Sequence, residues 1–181
     1  MQYSMEEPNQ NRMDQAIRRM ASGDRDALRE LYTESARAVY AYALSLLKNA
    51  SDAEDVLQDT FLRAWNAAPS YQSRQKPMAW LITIAKNLAL SRLRTARRTE
   101  PLPDEPHYCA PEGFAIEDRL LLEACLNTLS DAERQIVVLH ATGGLKHREI
   151  AKLLSLPLGT VLSKYRRAIG KLRNILQEEA V

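Results

Sequence analysis

The sequence predicts an all-α protein of two small helical domains joined by a proline-rich linker. Three observations carry that expectation. Apolar residues recur at helical spacing over most of the chain. Half of the prolines, Pro101, Pro103, Pro106 and Pro111, crowd the stretch from Thr99 to Pro111, where they block helix and sheet alike. The run from Leu129 to Arg173 has the pattern of a helix-turn-helix. The expected division is a disordered tail over 1–12, a first domain over 13–98, a linker over 99–113 and a second domain over 114–181.

The elements follow in order. The polar start, MQYSMEEPNQNRM, has too little apolar surface to fold and is expected to be disordered for about its first eleven residues. From Asp24 to Leu47, Ala27, Leu28, Leu31, Tyr32, Ser35, Val39, Ala43, Leu44 and Leu47 recur at helical spacing. The next helix is expected to open at Ser51, with Glu54 completing an S-x-x-E capping box, and its apolar members are Val56, Leu57, Phe61, Ala64 and Trp65. A polar loop, Asn66 to Lys76, leads to Pro77, whose missing donor has no helical partner in a first turn. A third helix from Met78 to about Arg98 carries Trp80, Leu81, Ile84, Ala85, Leu88 and Leu93. Beyond the linker, helical spacing resumes near Phe114 with Ile116, Leu120, Leu121, Ala124 and Leu129.

In the C-terminal run the first helix of the motif spans His147 to Leu154, the turn Ser155 to Pro157, and the second helix starts at Leu158. Ala151 lies where the helices cross, because a small side chain there lets backbones approach. Val161, Tyr165, Ala168, Ile169, Leu172 and Leu176 form a buried stripe. Thr160, Ser163, Lys164, Arg167, Lys171 and Asn174 take the opposite face, with hydroxyl, amide and cationic groups suited to base edges and phosphates. An ordinary amphipathic helix with a solvated basic face would show the same pattern. The turn is atypical: Ser155 stands where many such turns carry Gly, and Pro157 removes a backbone donor.

A net charge of +2 says little; its distribution says more. Ser51 to Trp65 sets Asp52, Glu54, Asp55 and Asp59 against Arg63 alone, whereas Lys86 to Arg98 holds Lys86, Arg92, Arg94, Arg97 and Arg98 without an acid. Helix-dipole complementarity explains part of this, at about 0.3–1 kcal/mol per charge. No apolar run approaches the ~18 residues of a membrane span, and two Glu in a polar N-terminus argue against a secretory signal. Cys109 and Cys125 suit a reducing cytosol. His107, His140 and His147 lack metal-ligand spacing, and His107 with Cys109 in the linker is a weak pair. Gly143-Gly144 reads as a helix-ending turn, since no strand precedes it. The neighbouring acids Glu54 and Asp55 point to different helix faces, so no shared acid/base site is expected. No enzyme, metal or cofactor is expected.

Three blocks, in order, give the chain a family resemblance. DAEDVLQDTFLRAW (52–65), KPMAWLITIAKNLALSRLRTARR (76–98) and LNTLSDAERQIVVL with HREIAKLLSLPLGTVLSKYRRAIGKLR resemble group IV, or extracytoplasmic function (ECF), sigma factors of bacterial RNA polymerase. The resemblance spans about Asp24 to Leu176. It implies that Asp52, Asp55, Gln58, Asp59, Phe61 and Arg63 serve polymerase binding. It implies that the loop Asn66 to Lys76 receives a base flipped from the −10 strand, and that Trp80, Lys86, Asn87, Arg92, Arg94, Arg97 and Arg98 serve −10 DNA. Trp80 either wedges at the fork or packs the core, with Leu81 and Ile84 beside it favouring the core. Thr160, Ser163, Lys164, Arg167 and Lys171 would serve the −35 duplex. The implied partners are core RNA polymerase, promoter DNA and an anti-sigma factor, in the cytoplasm or held at the inner membrane by that factor. Many relatives carry Asp at Ser91, Pro at Ser130, and Lys or Arg at Leu162, which puts one phosphate contact in doubt. A stand-alone helix-turn-helix regulator is the alternative.

Overall fold

The computed structural model describes residues 6–73, 76–96 and 128–178, and every regular element among them is helical. In chain order these are α1 (Glu6–Ala21), α2 (Arg25–Leu47), α3 (Ala50–Ala67), a 3-10 turn (Ala68–Ser70), α4 (Pro77–Ala96), α5 (Asp131–Ala141), α6 (His147–Leu154) and α7 (Leu158–Glu178). The linker, the segment from Phe114 to Ala124, and Arg97 and Arg98 lie outside the described residues.

The expected disordered tail is corrected by α1, which begins at Glu6. Met13, Ala16, Ile17 and Met20 repeat at i, i+3, i+4 and i+7 and are fully buried, so the helix is held by packing that its polar composition conceals. Gly23, in the left-handed region at φ 87°, reverses the chain, and its N–H bonds the Met20 carbonyl at 2.9 Å. Asp24 then caps α2, accepting from the N–H groups of Asp26 and Ala27. Lys48 ends α2 in the left-handed region.

The start of α3 also differs from expectation. Asn49, not Ser51, is the cap: its side chain accepts from the Asp52 N–H at 2.9 Å, and the helix begins at Ala50. A better cap two residues upstream satisfies the same orphan donors, so Ser51 becomes an exposed first-turn residue. The S-x-x-E box operates instead at Ser130 and Glu133, which open α5 by reciprocal bonds. Pro77 sits in the first turn of α4 as expected.

In the C-terminal motif α6 ends at Leu154 and α7 begins at Leu158, on either side of the expected turn. Ser155 adopts the left-handed conformation at φ 55° that glycine would otherwise supply, and its N–H and that of Leu156 bond the carbonyls of Lys152 and Ala151. Between α5 and α6, a Cβ on Gly143 would lie 2.8 Å from the Leu139 carbonyl oxygen, so only glycine fits there without a shift.

The two helical modules share one apolar core. Leu31, Val39, Tyr42 and Leu44 of the first module belong to the same buried cluster as Ile136, Leu139, Ile150 and Val161 of the second. α2 packs along α5, and α4 meets α6. Polar links cross the same seam. Lys48 pairs with Asp131 at 3.0 Å and Lys76 with Glu149 at 3.0 Å. Arg134, only 4% exposed, donates to the carbonyls of Ser45 (3.4 Å) and Leu129 (3.0 Å).

Candidate functional site

On α3 the spacing Asp52, Asp55, Asp59 (i, i+3, i+7) places three carboxylates in one row. Gln58, Leu62 and Arg63 are exposed along the same helix. Leu62 is 63% exposed, the most open of the large apolar side chains among the described residues, and sequence reasoning passed over it. Phe61 points the other way: it is buried, with its ring centroid 4.8 Å from that of Tyr32, and therefore supports the ridge from beneath. The row has a resident counter-ion. Arg92 of α4 pairs with Asp52 at 2.9 Å, Asp55 at 3.0 Å and, more loosely, Asp59 at 3.9 Å. A cation assigned to DNA thus lies against the acids assigned to polymerase.

The remaining α4 residues divide by exposure. Asn87 and Arg94 are exposed, while Lys86 is half-buried and donates from Nζ to the carbonyl of Leu153 at the end of α6. Trp80 is half-buried and packs against the core, with its ring 4.8 Å from Tyr71 in a tilted stack. One face of that stack lines an open hollow of about 410 Å³ together with Ser70, Lys76, Ala79 and Thr83. Trp80 therefore both packs and lines a surface cavity.

α1 holds the rim of this hollow. Asp14, buried at 7% exposure, accepts from Tyr71 Oη at 2.8 Å and from Ser73 Oγ at 2.8 Å, and pairs with Arg18 at 3.1 Å. Burial first, and then the bond to Asp14, push the Tyr71 phenol above its ordinary range. Sequence reasoning missed Asp14 because it lies in a helix whose existence was not expected.

On α7, Val161, Ala168 and Leu172 are buried and Tyr165 and Ile169 half-buried, as the stripe requires. Ser163 and Arg167 are exposed, and Thr160 and Lys164 half-buried. Leu158 and Leu162 add an exposed apolar pair at the N-terminal end. Lys171 is engaged within the domain: its Nζ donates to the buried Glu133 Oε2 at 2.8 Å. Burial opposes the charge on Glu133, yet the bonds from Lys171 and Ser130 hold its carboxyl down to about 2.

His140 and His147 stack at 4.5 Å between ring centroids, and Tyr165 meets both edge-on. A carbonyl only accepts, so the 2.9 Å contact from His140 Nδ1 to the Leu145 oxygen places a proton on Nδ1. Among the described residues no group of three or more His, Cys, Asp or Glu could hold a metal, and no helix is long and apolar enough to cross a membrane.

Comparison with known proteins matches both halves of the chain. The family model described as Sigma-70 region 2 matches residues 31–99, and that described as Sigma-70, region 4 matches residues 119–172. A chain carrying both is a two-domain sigma factor of the sigma-70 class. Among similar proteins, the ECF RNA polymerase sigma factor SigK of Mycobacterium ulcerans (strain Agy99) is 30% identical, over 88% of this chain and 91% of that one. SigK of Mycobacterium tuberculosis (strain ATCC 25618 / H37Rv) is 29% identical, over 91% and 93%. The sigma factor RpoE in complex with the anti-sigma factor NepR, from Bartonella quintana, superposes with a TM-score of 0.66 at 25% identity, over 82% of this chain and 96% of that one. CnrH in complex with the cytosolic domain of CnrY gives 0.64 at 26%, over 92% and 98%. The chain belongs to the ECF sigma factor family, the subunits that direct RNA polymerase to promoters.

Proposed function

We propose that α3 is the polymerase-docking helix of this sigma factor, that α4 with the hollow beside Trp80 takes the −10 non-template strand, and that the outer face of α7 reads the −35 duplex. The observation that carries the reading is the acidic row Asp52, Asp55, Asp59, with Gln58 and Leu62 open to a partner. Fixed acids around an exposed apolar anchor suit a basic protein surface, with charge steering the encounter and Leu62 contributing burial. The Tyr71–Trp80 hollow supports base capture, because a flipped base needs a π-surface to offset the few kcal/mol of lost stacking. Arg97 and Arg98, outside the described residues, would add cations to the strand contacts.

The protein is not an enzyme in this reading; the chemistry belongs to polymerase. It acts in the cytoplasm. An anti-sigma partner is supported by the similar sigma factor RpoE, captured in complex with the anti-sigma factor NepR, and retention at the inner membrane would follow if such a partner is anchored.

The test is gel filtration of the full chain with core RNA polymerase. Asp55→Lys combined with Asp59→Lys abolishes co-elution while leaving helix content, read by circular dichroism, unchanged. Co-elution of the double variant at wild-type affinity would assign docking to another surface.

A further inference from the structure

We propose that Asp14 is a positioning residue for promoter opening: from α1 it holds the Tyr71–Ser73 segment in the shape that lets the hollow beside Trp80 accept an extruded base. The inference rests on the base-capture reading above and adds to it the element that preorganises the pocket.

Tyr71, Gln72 and Ser73 follow the 3-10 turn and belong to no helix, so no helix ladder holds them. Such a segment samples many conformations unless side chains tie it down. Here both hydroxyls converge on one carboxylate, at 2.8 Å each. That carboxylate sits on a helix whose Met13, Ile17 and Met20 are locked in the core, so the anchor is rigid. Arg18, four residues on, neutralises its charge at 3.1 Å.

The Tyr71 ring gains most. Its hydroxyl is fixed by Asp14 at one end, and its ring centroid lies 4.8 Å from that of Trp80, the two rings tilted 58° to each other. The two rings thereby present one stationary wall to the hollow, and a base entering it need not order them. Without Asp14, Tyr71 must be immobilised at the moment of binding, at about 0.5–1.5 kcal/mol for a rotamer-rich side chain, or about two- to tenfold in affinity.

The experiment uses holoenzyme assembled from the full chain and core RNA polymerase, with fork-junction DNA carrying a single-stranded −10 non-template segment. Each nucleotide of that segment is made abasic in turn, and affinity is compared with the intact strand. Wild type is expected to lose affinity at one or two positions, the captured bases. Asp14→Asn keeps the size of the side chain but swaps the carboxylate for an amide, which cannot accept both hydroxyl bonds as strongly. It is expected to bind the intact fork about two- to tenfold more weakly. It should bind the abasic fork as wild type does, and hold core polymerase with unchanged affinity. A merely structural role would lower all three affinities together.

If Asp14→Asn retains the full intact-to-abasic ratio, Asp14 does not position the pocket and the proposal is overturned. If wild type itself shows no abasic penalty at any position, the base-capture reading fails instead, and the inference with it. Should Asp14→Asn also lose core binding, Tyr71→Phe combined with Ser73→Ala, which removes both donors and spares the carboxylate, decides by the same ratio.

Discussion

Lys171 holds the buried carboxylate of Glu133 at 2.8 Å, tying the far part of α7 to the first turn of α5. Glu133 already accepts from the Ser130 N–H and hydroxyl, so the Lys171 bond completes its shell and fixes the crossing of the two helices. A cation that faces DNA by spacing alone is held within the domain by a partner 38 positions earlier in the chain. Lys171→Ala leaves a buried carboxylate short of a donor. It is expected to cost about 1–3 kcal/mol of stability by urea unfolding and to raise the Glu133 pKa from about 2. In contrast, Arg167→Ala on the exposed face should leave stability intact and reduce the salt slope of −35 binding by about one unit if it meets a phosphate. An equal drop in salt slope for both variants, with no stability loss for Lys171→Ala, would return Lys171 to the DNA face.

Leu162 and Leu158, four positions apart on α7, form an exposed apolar pair at the end of the helix that enters a major groove in such motifs. The apolar feature a major-groove base edge presents is the thymine methyl. Replacing individual −35 thymines by deoxyuracil, which lacks only that methyl, is expected to weaken binding of the wild-type holoenzyme at one position. Leu162→Ala should bind the thymine and deoxyuracil duplexes alike. A variant that still distinguishes them would show that the leucine reads no methyl.

How much of this was legible in the sequence depended on the range of the interaction. The frames of α2 and α4, Pro77 in a first turn, the glycine turn after α5 and the boundaries of the helix-turn-helix are written in local spacing and cap chemistry, and they read correctly. The apolar repeat of α1 was present too, but the polar residues between its members outweighed it. The Asn49 cap was overlooked because Ser51 and Glu54 matched a familiar pattern. Lys171, Arg92 and Lys86 show the harder limit. Periodicity places a cation on a face, but only the fold places Glu133, Asp52 or the Leu153 carbonyl opposite it. Asp14 is the same case for an acid, with partners 57 and 59 positions away.

Acid should weaken the second module through His147. Burial first, and then the neighbouring His140, lower its pKa from the ordinary 6.5. Its Nε2 is buried with no hydrogen-bond partner among the described residues, so a proton there would add an unsatisfied charge between His140 and Tyr165. Since the folded value is the lower one, the unfolded chain binds the proton first as pH falls. The contribution of the neutral ring is therefore whole above about pH 6.5 and is lost progressively below it. Thermal unfolding between pH 7.5 and 5.5 should show a falling Tm for wild type and a flatter line for His147→Phe. Parallel slopes in the two proteins would remove His147 as the cause.

The seam between the modules should respond to charge reversal. In the closed arrangement Lys86 bonds the Leu153 carbonyl, and Lys76, at the edge of the hollow, pairs with Glu149, so residues assigned to −10 DNA are engaged by the other module. Binding a strand along α4 requires those contacts to break. The exposed pair Lys48–Asp131 contributes at most about 1 kcal/mol; Lys76–Glu149, exposed on the lysine side with a half-buried carboxylate, adds a contribution of similar order, and the continuous apolar core beneath them contributes more. Lys48→Glu with Lys76→Glu turns both attractions into repulsions without touching that core. The double variant is expected to show a larger radius of gyration by small-angle scattering at low salt, with the difference shrinking as salt screens the charges. Adding Asp131→Lys and Glu149→Lys restores opposite charges across the seam and should restore compactness. An unchanged radius of gyration in the double variant at low salt would mean that the apolar core alone holds the modules together, and that the ion pairs decorate the seam.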